Sequence, residues 1–553
     1  MATKMDKPQT ELGSIRDTVE SVWVAIVLAF VLRGFLIEAF VIPTGSMAPR
    51  LMGEHWNLQC PACGWEYAYG VHKQFVQSRA FGRGRRATPT EAECPNCGYG
   101  YPYTERAAYP NSGDRVLVLK YLYQFSEPQP WDVVVFRNPQ DNSQNYIKRL
   151  IGLPGETIEI VHGDIFVAET PDGPFHVRTK PSAAQQAMWQ VVFDNDYRAD
   201  LKLFEKQSRR TPLPPAWVAP QPGAWDISGD GGRVMAFGGA PEPQEVVFKA
   251  RRDVFLPRYG YNTPPDPMTD LIDERMDICT DLKLSFSFVP KSPGAKVAAR
   301  LSSFEHQFKA ALAADGTAEL YYRSASGSDG NWVLWQVSQS LGPLDVDRGY
   351  QVEFVHVDLG VELLVDGRRI LLCRGEKYPE TYETLKRRMR SVSRDPVQPP
   401  QVGIAASGGA CELWHVALYR DVYYTAARLD RHAVSSAYYE YAETLGAQAS
   451  QPGWGTMGYP VTLARDGGNP DLDEFFVLGD NSPQSLDGRA WRAAAPTMRL
   501  WDSAGQPQYQ LGTVPRYNMI GRALFVYWPS GFRVPGLPGL PVIPNVGRMR
   551  PIQ

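Results

Sequence analysis

An apolar run from Val22 to Ile42, interrupted only by Arg33 and Glu38, leads straight into Pro43-Thr44-Gly45-Ser46-Met47. As a helix it would span roughly 30 Å, the thickness of a bilayer core. Residues 21–42 therefore read as a transmembrane helix that follows a cytoplasmic tail of residues 1–20. Ser46 would then sit at the lipid surface. Arg33 and Glu38 lie toward one end of the run, where long side chains can reach the headgroups. A cleaved leader is the rival reading, and a buried core helix is a third. Against the leader, Asp6, Glu11, Asp17 and Glu20 precede the run, and no small-x-small site precedes a mature-like start. Flanking charge orients the span weakly. Lys4, Lys7 and Arg16 come before it, but Arg50 and the basic stretch from Arg83 to Arg86 come after.

A serine held at that surface needs a base to become a nucleophile. Tyr146-Ile147-Lys148-Arg149 places a lysine inside a strongly apolar strand pattern. A free lysine is protonated near neutral pH and cannot accept a proton. An apolar pocket disfavours the ammonium and lowers its pKa, and Ile147, Leu150, Ile151 and Leu153 are the expected walls. The neutral amine could then take the Ser46 proton, and attack would run through an acyl-enzyme that water releases. Thr44, two residues before Ser46, could donate to the developing oxyanion. Taken singly, each residue has an ordinary reading: Ser46 as turn chemistry, Lys148 as a solvated strand face, Asp480-Asn481 as a tight turn.

The cysteines are unevenly placed. Cys60-Pro61-Ala62-Cys63-Gly64 and Cys94-Pro95-Asn96-Cys97-Gly98 are near-identical knuckles, while Cys279, Cys373 and Cys411 are scattered and read as small buried apolar residues. Two knuckles can point four thiolates at one ion, a closed tetrahedral shell of the structural zinc type. Two disulfides are the alternative in an oxidising compartment. No cofactor is expected for catalysis.

The rest of the chain reads as strands and turns, consistent with 46 prolines, 49 glycines and 12% aromatic residues. Candidate strands are Gly113 to Lys120, Trp131 to Arg137, Tyr146 to Leu153, Glu156 to Phe166, Phe475 to Leu478 and Met519 to Trp528. Between the two groups, residues 171–460 open with a Pro- and Trp-rich stretch. They continue with alternating segments at Leu282 to Phe288, Val352 to Phe354, Val361 to Val365, Arg368 to Cys373, Val402 to Ala405 and Cys411 to Tyr419. Asp366-Gly367 is a hairpin turn signal. This pattern is that of an inserted jelly-roll-like β-sandwich, of a kind that can bind carbohydrate or protein. His356 and His415 read as strand residues. The net charge of -3 gives no reason to expect nucleic acid.

The segments Phe40 to Met47, Gly113 to Lys120, Trp131 to Glu156 and Gly479 to Arg489 resemble, in order, the boxes of bacterial type I signal peptidases (leader peptidases). The resemblance implies a mainly β, antiparallel catalytic domain with an N-terminal transmembrane helix, on the extracytoplasmic side of the cytoplasmic membrane. It implies Ser46 as nucleophile and Lys148 as general base. The Ser46 N–H and the Thr44 hydroxyl would make the oxyanion hole, Ser485 would orient Lys148, and Asp487 and Arg489 would pair to hold their loop. Preproteins bearing signal peptides with small residues before the cut would be the substrates, and the bilayer and the secretion translocon the partners. The family often has arginine where Ser482 stands, serine where Gly488 stands, and serine where Thr44 stands. The implied organisation is residues 43–170 as the first catalytic part, with a zinc-ribbon insertion at 57–103. Residues 171–460 are the inserted domain, 461–530 the second catalytic part and 531–553 a C-terminal tail. Two other readings compete: a Ser-Lys self-cleaving repressor, and a catalytically inactive membrane-anchored receptor built on the sandwich.

Overall fold

The computed structural model describes residues 11–31, 36–70, 91–102, 110–206, 214–221, 223–262, 272–325, 331–339, 341–392, 396–426, 452–498, 500–530 and 545–553. The chain is mainly β, with two large groups of sheets.

The first group is an antiparallel sheet in the order Ile37–Val41, Arg115–Leu119, Met519–Trp528, Val133–Asn138, Asp141–Gly152, Glu474–Leu478 and Val514–Pro515. Strands from both ends of the sequence interleave. Met519–Trp528 lies between Arg115–Leu119 and Val133–Asn138, and Glu474–Leu478 pairs with the end of Asp141–Gly152. Arg550–Pro551 returns to pair with Met519–Trp528. A smaller sheet, in the order His176–Val177, Asp164–Ala168, Thr157–Val161 and Val461–Thr462, carries this group past residue 170.

Here the expected transmembrane helix needs correction. The helix runs from Glu11 to Val31, and Ile37–Val41 is a strand in full register with Arg115–Leu119. Glu11, Arg16, Asp17 and Glu20 occupy the first half of the helix. Within the described residues its apolar part, Ser21 to Val31, covers about 16 Å at 1.5 Å per residue, short of a bilayer core, and residues 32–35 of the expected span lie outside the described residues. Among the described residues no helix is long and apolar enough to cross a membrane. The end of the apolar run follows the strand instead, because Arg115–Leu119 offers an open edge and Phe40 and Ile42 pack with Met47, Leu51, Val116 and Val118. The expected single strand Glu156 to Phe166 is also two strands, Thr157–Val161 and Asp164–Ala168. His162 and Gly163 turn the chain between them with φ of 52° and 87°, the two positive values that a tight hairpin needs.

The second group comes from the middle of the chain. One sheet runs in the order Trp225–Asp226, Met235–Phe237, Cys411–Arg420, Leu282–Pro290, Tyr350–His356, Gly360–Val365 and Arg368–Arg374, with Gln190–Asp194 paired to Cys411–Arg420. The other runs in the order Ala216–Val218, Ala240–Lys249, Val402–Gly408, Ala295–Ser303, His306–Ala313, Ala318–Ser324 and Val333–Ser338. Leu284, Phe286 and Phe288 of the first sheet and Val297, Ala299 and Phe308 of the second belong to one buried apolar cluster. His356 and His415 are strand residues. His356 is buried against the Tyr378 hydroxyl at 2.6 Å.

Candidate active site

Three pieces of chain meet at Ser46. The first is the turn that follows strand Ile37–Val41. Its backbone closes on itself, with the Ala48 N–H donating to the Gly45 carbonyl and the Leu51 N–H to the Met47 carbonyl. The second is Asp141–Gly152, which is half-exposed at its start and wholly buried from Ile147 onward. Lys148 lies where it goes under. Side chains alternate along a strand, so Lys148 shares a face with Tyr146 and Leu150, while Ile147 and Ile151 face the other way. Val134 sits directly opposite Lys148 in register. Two of the four expected walls are thus replaced by Val134 and Tyr146.

Lys148 Nζ donates to Ser46 Oγ at 2.7 Å and to the Ile147 carbonyl at 3.2 Å. Ser46 is 8% exposed and Lys148 is 3% exposed. Burial pushes the Lys148 amine down from 10.5 to about 8, with Asp487 and Asp480 pulling it back upward and Arg489 pushing it down. This puts a proton acceptor within hydrogen-bond reach of an alcohol, with about a tenth of it uncharged at pH 7.

The third piece is Gly479 to Arg489, which follows strand Glu474–Leu478. The Gly479 N–H donates to Asp487 at 3.0 Å, and Arg489 pairs with Asp487 at 2.8 Å. Arg489 also donates to the Ser482 hydroxyl at 2.7 Å. Gly479 is packed so closely that a Cβ there would meet Ser485 Oγ at 2.1 Å and the Ser46 carbonyl at 2.5 Å. Ser485 is therefore a near neighbour of the Ser46 turn. Its hydroxyl is buried without a partner, so its bond to Lys148 is not made. Thr44 is exposed beside the turn.

Several supports were not singled out in the sequence. Arg149 is fully buried and grips Asp480 with two bonds of 2.7 Å, and it also donates to the Trp131 carbonyl at 2.9 Å. The Asn481 N–H donates to the Ser46 carbonyl at 3.1 Å, and its side chain donates to the Gly45 carbonyl at 2.9 Å. Tyr259, Tyr261 and Asn262, from the middle of the chain, also reach this turn or the Asp480-Asn481 segment beside it. The one available signal was the unbroken polar run Asp480-Asn481-Ser482 after a wholly buried strand, which a surface turn does not require.

The four knuckle cysteines lie together. Cys60 Sγ is 3.7 Å from Cys97 Sγ, and Cys63 Sγ is 3.6 Å from Cys94 Sγ. A disulfide would need about 2.05 Å. Four thiolates at about 2.3 Å from one zinc ion stand about 3.8 Å apart at the corners of a tetrahedron, so the donor set fits that metal. Gly64 and Gly98 take φ of 77° and 72° and return their N–H groups to the Cys60 and Cys94 carbonyls. A second close group, Asp164, Asp281 and Asp358, has its own cation: Lys180 bonds Asp358 and lies 2.8 Å from Asp421. A cavity of about 340 Å³ lies between the cysteine knuckles and the middle of the chain, behind Tyr259 and Tyr261, and neither Ser46 nor Lys148 lines it.

The family described as signal peptidase, peptidase S26, matches residues 106–213 and 463–528, which contain Lys148, Ser485, Asp487 and Arg489 and begin after Ser46. Signal peptidase I of Rickettsia typhi is 26% identical over 164 residues, covering 30% of this chain and 47% of that protein. Signal peptidase I of Pseudomonas aeruginosa is 27% identical over 140 residues, covering 25% and 32%. The chain thus spans less than half the length of these two relatives. Among solved structures, a carbohydrate-binding module from Bacillus subtilis, CBM66, aligns with 36% of this chain and 94% of its own at 12% identity and a TM-score of 0.23. The two separated segments that supply the buried lysine and its supporting loop are thus the ones that match the model of the signal peptidase family, peptidase S26.

Proposed function

We propose that this protein is a membrane-associated serine endopeptidase that removes N-terminal signal peptides from exported preproteins, with Ser46 as nucleophile and Lys148 as general base. The observation that carries the reading is the 2.7 Å contact between Ser46 Oγ and an amine that is almost wholly buried. As the Ser46 oxygen attacks the scissile carbonyl, its proton passes to neutral Lys148. The resulting ammonium then gives a proton to the leaving amine, and the acyl group remains on Ser46. Water, deprotonated by the same amine, releases it. The Ser46 N–H and the Thr44 hydroxyl are the proposed donors to the oxyanion. Among the described residues strand Ile37–Val41 is at the edge of its sheet, with Ile37 and Val41 exposed, and ends five residues before Ser46. An extended substrate could add to that edge by main-chain pairing and run into the nucleophile.

Two further readings belong to this proposal. Cys60, Cys63, Cys94 and Cys97 would hold a structural zinc ion, with no step of the reaction passing through it. Val22, Trp23, Val24, Val27 and Leu28 of the N-terminal helix are each about half exposed or more, and they would bind lipid on the extracytoplasmic side of the cytoplasmic membrane.

The test is cleavage of a preprotein whose leader ends in Ala-X-Ala, using the detergent-solubilised full chain. Ser46→Ala and Lys148→Ala should each abolish processing, and the double variant should be no worse than either, because the two groups act as one unit. Processing that survives Ser46→Ala would remove the assignment.

A further inference from the structure

The inserted region is not confined to its own sheets. Between strand Ala240–Lys249 and strand Leu282–Pro290 it sends a short segment, Tyr259-Gly260-Tyr261-Asn262, into the catalytic part. All three side chains there are at least 95% buried. The Tyr259 hydroxyl donates to the Asp480 carbonyl at 3.2 Å, and the Tyr261 hydroxyl donates to the Glu54 carbonyl at 3.0 Å. The Tyr261 ring lies on the nucleophile turn itself, for a Cβ at Gly45 would meet it at 2.1 Å.

Asn262 makes the most specific contact. Its Nδ2 donates to Asn481 Oδ1 at 2.7 Å, and Asn481 Nδ2 donates back to Asn262 Oδ1 at 2.8 Å. This reciprocal pair fixes the plane of the Asn481 amide and, together with the Gly45 carbonyl, sets which end faces the turn. The second hydrogen on Asn481 Nδ2 then goes to the Gly45 carbonyl at 2.9 Å. That carbonyl and the Ser46 N–H belong to one planar peptide unit, so whatever holds the oxygen also sets where the N–H points. A flipped Asn481 would face the Gly45 oxygen with an oxygen of its own and release the peptide.

We propose that Asn262, supplied by the inserted region, is a positioning residue for the Ser46 turn: through Asn481 it fixes the Gly45–Ser46 peptide whose N–H serves the oxyanion. This rests on the reading of Ser46 as nucleophile. It makes the inserted region part of the working site rather than a spacer alone. Asn262 touches neither the substrate nor Lys148. Its loss therefore acts on a transition-state contact and leaves both ground-state binding and the base untouched.

The experiment uses the purified full chain in detergent and the same Ala-X-Ala preprotein, with kcat and KM measured across pH. Asn262→Ala should lower kcat about 10- to 100-fold, somewhat less than outright loss of an oxyanion donor. KM should stay within about threefold and the acid limb near pH 8 should not move. Asn262→Asp keeps the size but turns an acceptor toward Asn481 Oδ1. It should lose kcat to a similar degree, and it decides the matter if the alanine variant does not fold. Adding Asn262→Ala to Asn481→Ala should cost nothing more. Wild-type kcat in a folded Asn262→Ala or Asn262→Asp protein overturns the proposal. So does a loss shared with KM and with a displaced acid limb, which marks general disruption. In either case, active wild type and inert Ser46→Ala would leave the nucleophile assignment standing. A wild type inert on the preprotein would sink both.

Discussion

If burial alone makes Lys148 a base, then wetting its pocket should shut the enzyme down at low pH and leave it intact at high pH. The amine titrates at about 8 instead of 10.5, a difference worth about 3 kcal/mol. At pH 7 roughly one buried amine in ten would be neutral, against roughly one in three thousand for an unperturbed lysine. Activity requires the neutral form, so it should be lost as pH falls through about 8 and should reach a plateau above it. Val134 is fully buried and directly opposite Lys148, which makes it the wall to perturb. Val134→Thr keeps the shape and sets a hydroxyl where a methyl had been.

That hydroxyl can accept a hydrogen bond from the ammonium and should raise the Lys148 pKa by about one unit. The acid limb of kcat/KM should move from about 8 toward 9. At pH 7 the rate should fall about tenfold, and at pH 10 it should match the wild type. A stopped assay on a fluorogenic peptide with an Ala-X-Ala sequence, read from pH 6 to pH 10, checks this. A uniform loss at every pH would refute the reasoning, since it would show damaged geometry and not a shifted amine. A wild-type limb near the free lysine value would refute it more directly, since burial would then not be tuning the base.

The same burial has a cost to stability. Below the lowered pKa the folded protein holds an ammonium in an apolar site. Lys148→Met should therefore stabilise the inactive protein by about 2–3 kcal/mol at pH 7. That gain should shrink between about pH 8 and 10.5, as the wild-type amine is already neutral when folded and still charged when unfolded. Chemical denaturation at pH 7 and pH 10 checks both sign and window, and a gain that grows with pH would contradict it. Metal analysis should find about one zinc per chain, and Cys94→Ser should lower that content and the melting temperature together; full zinc in the variant would remove these four ligands. Deleting residues 11–31 should release the protein from anionic vesicles in a flotation assay, and unchanged flotation would place the lipid contact elsewhere.

The sequence carried the strands and the dyad further than it carried what holds them in place. Met519–Trp528 and Arg368–Arg374 follow from alternation that one strand can satisfy alone. Ser46 and Lys148 each have an ordinary reading alone and were singled out by the ordered resemblance of four segments; the structure brings the two within 2.7 Å. Ile37–Val41 was misread because hydropathy reports burial without saying in what: five apolar-rich residues satisfy a bilayer or the edge of Arg115–Leu119 equally well. The deepest omission is Asn262, which lies 219 residues from Asn481 and looks like any loop asparagine. No local pattern encodes that pair, since its function arises only when an inserted region folds back over the turn. Arg149 is the intermediate case. Its charge beside Lys148 was visible, but Asp480 as its buried partner was not, because that pairing depends on how strands from both ends of the chain interleave in one sheet. The middle region of the chain therefore packs into the Ser46 site and does not merely hang from it. Its Tyr259, Tyr261 and Asn262 close the same shell around the Ser46 turn that Arg149 and Asp480 begin.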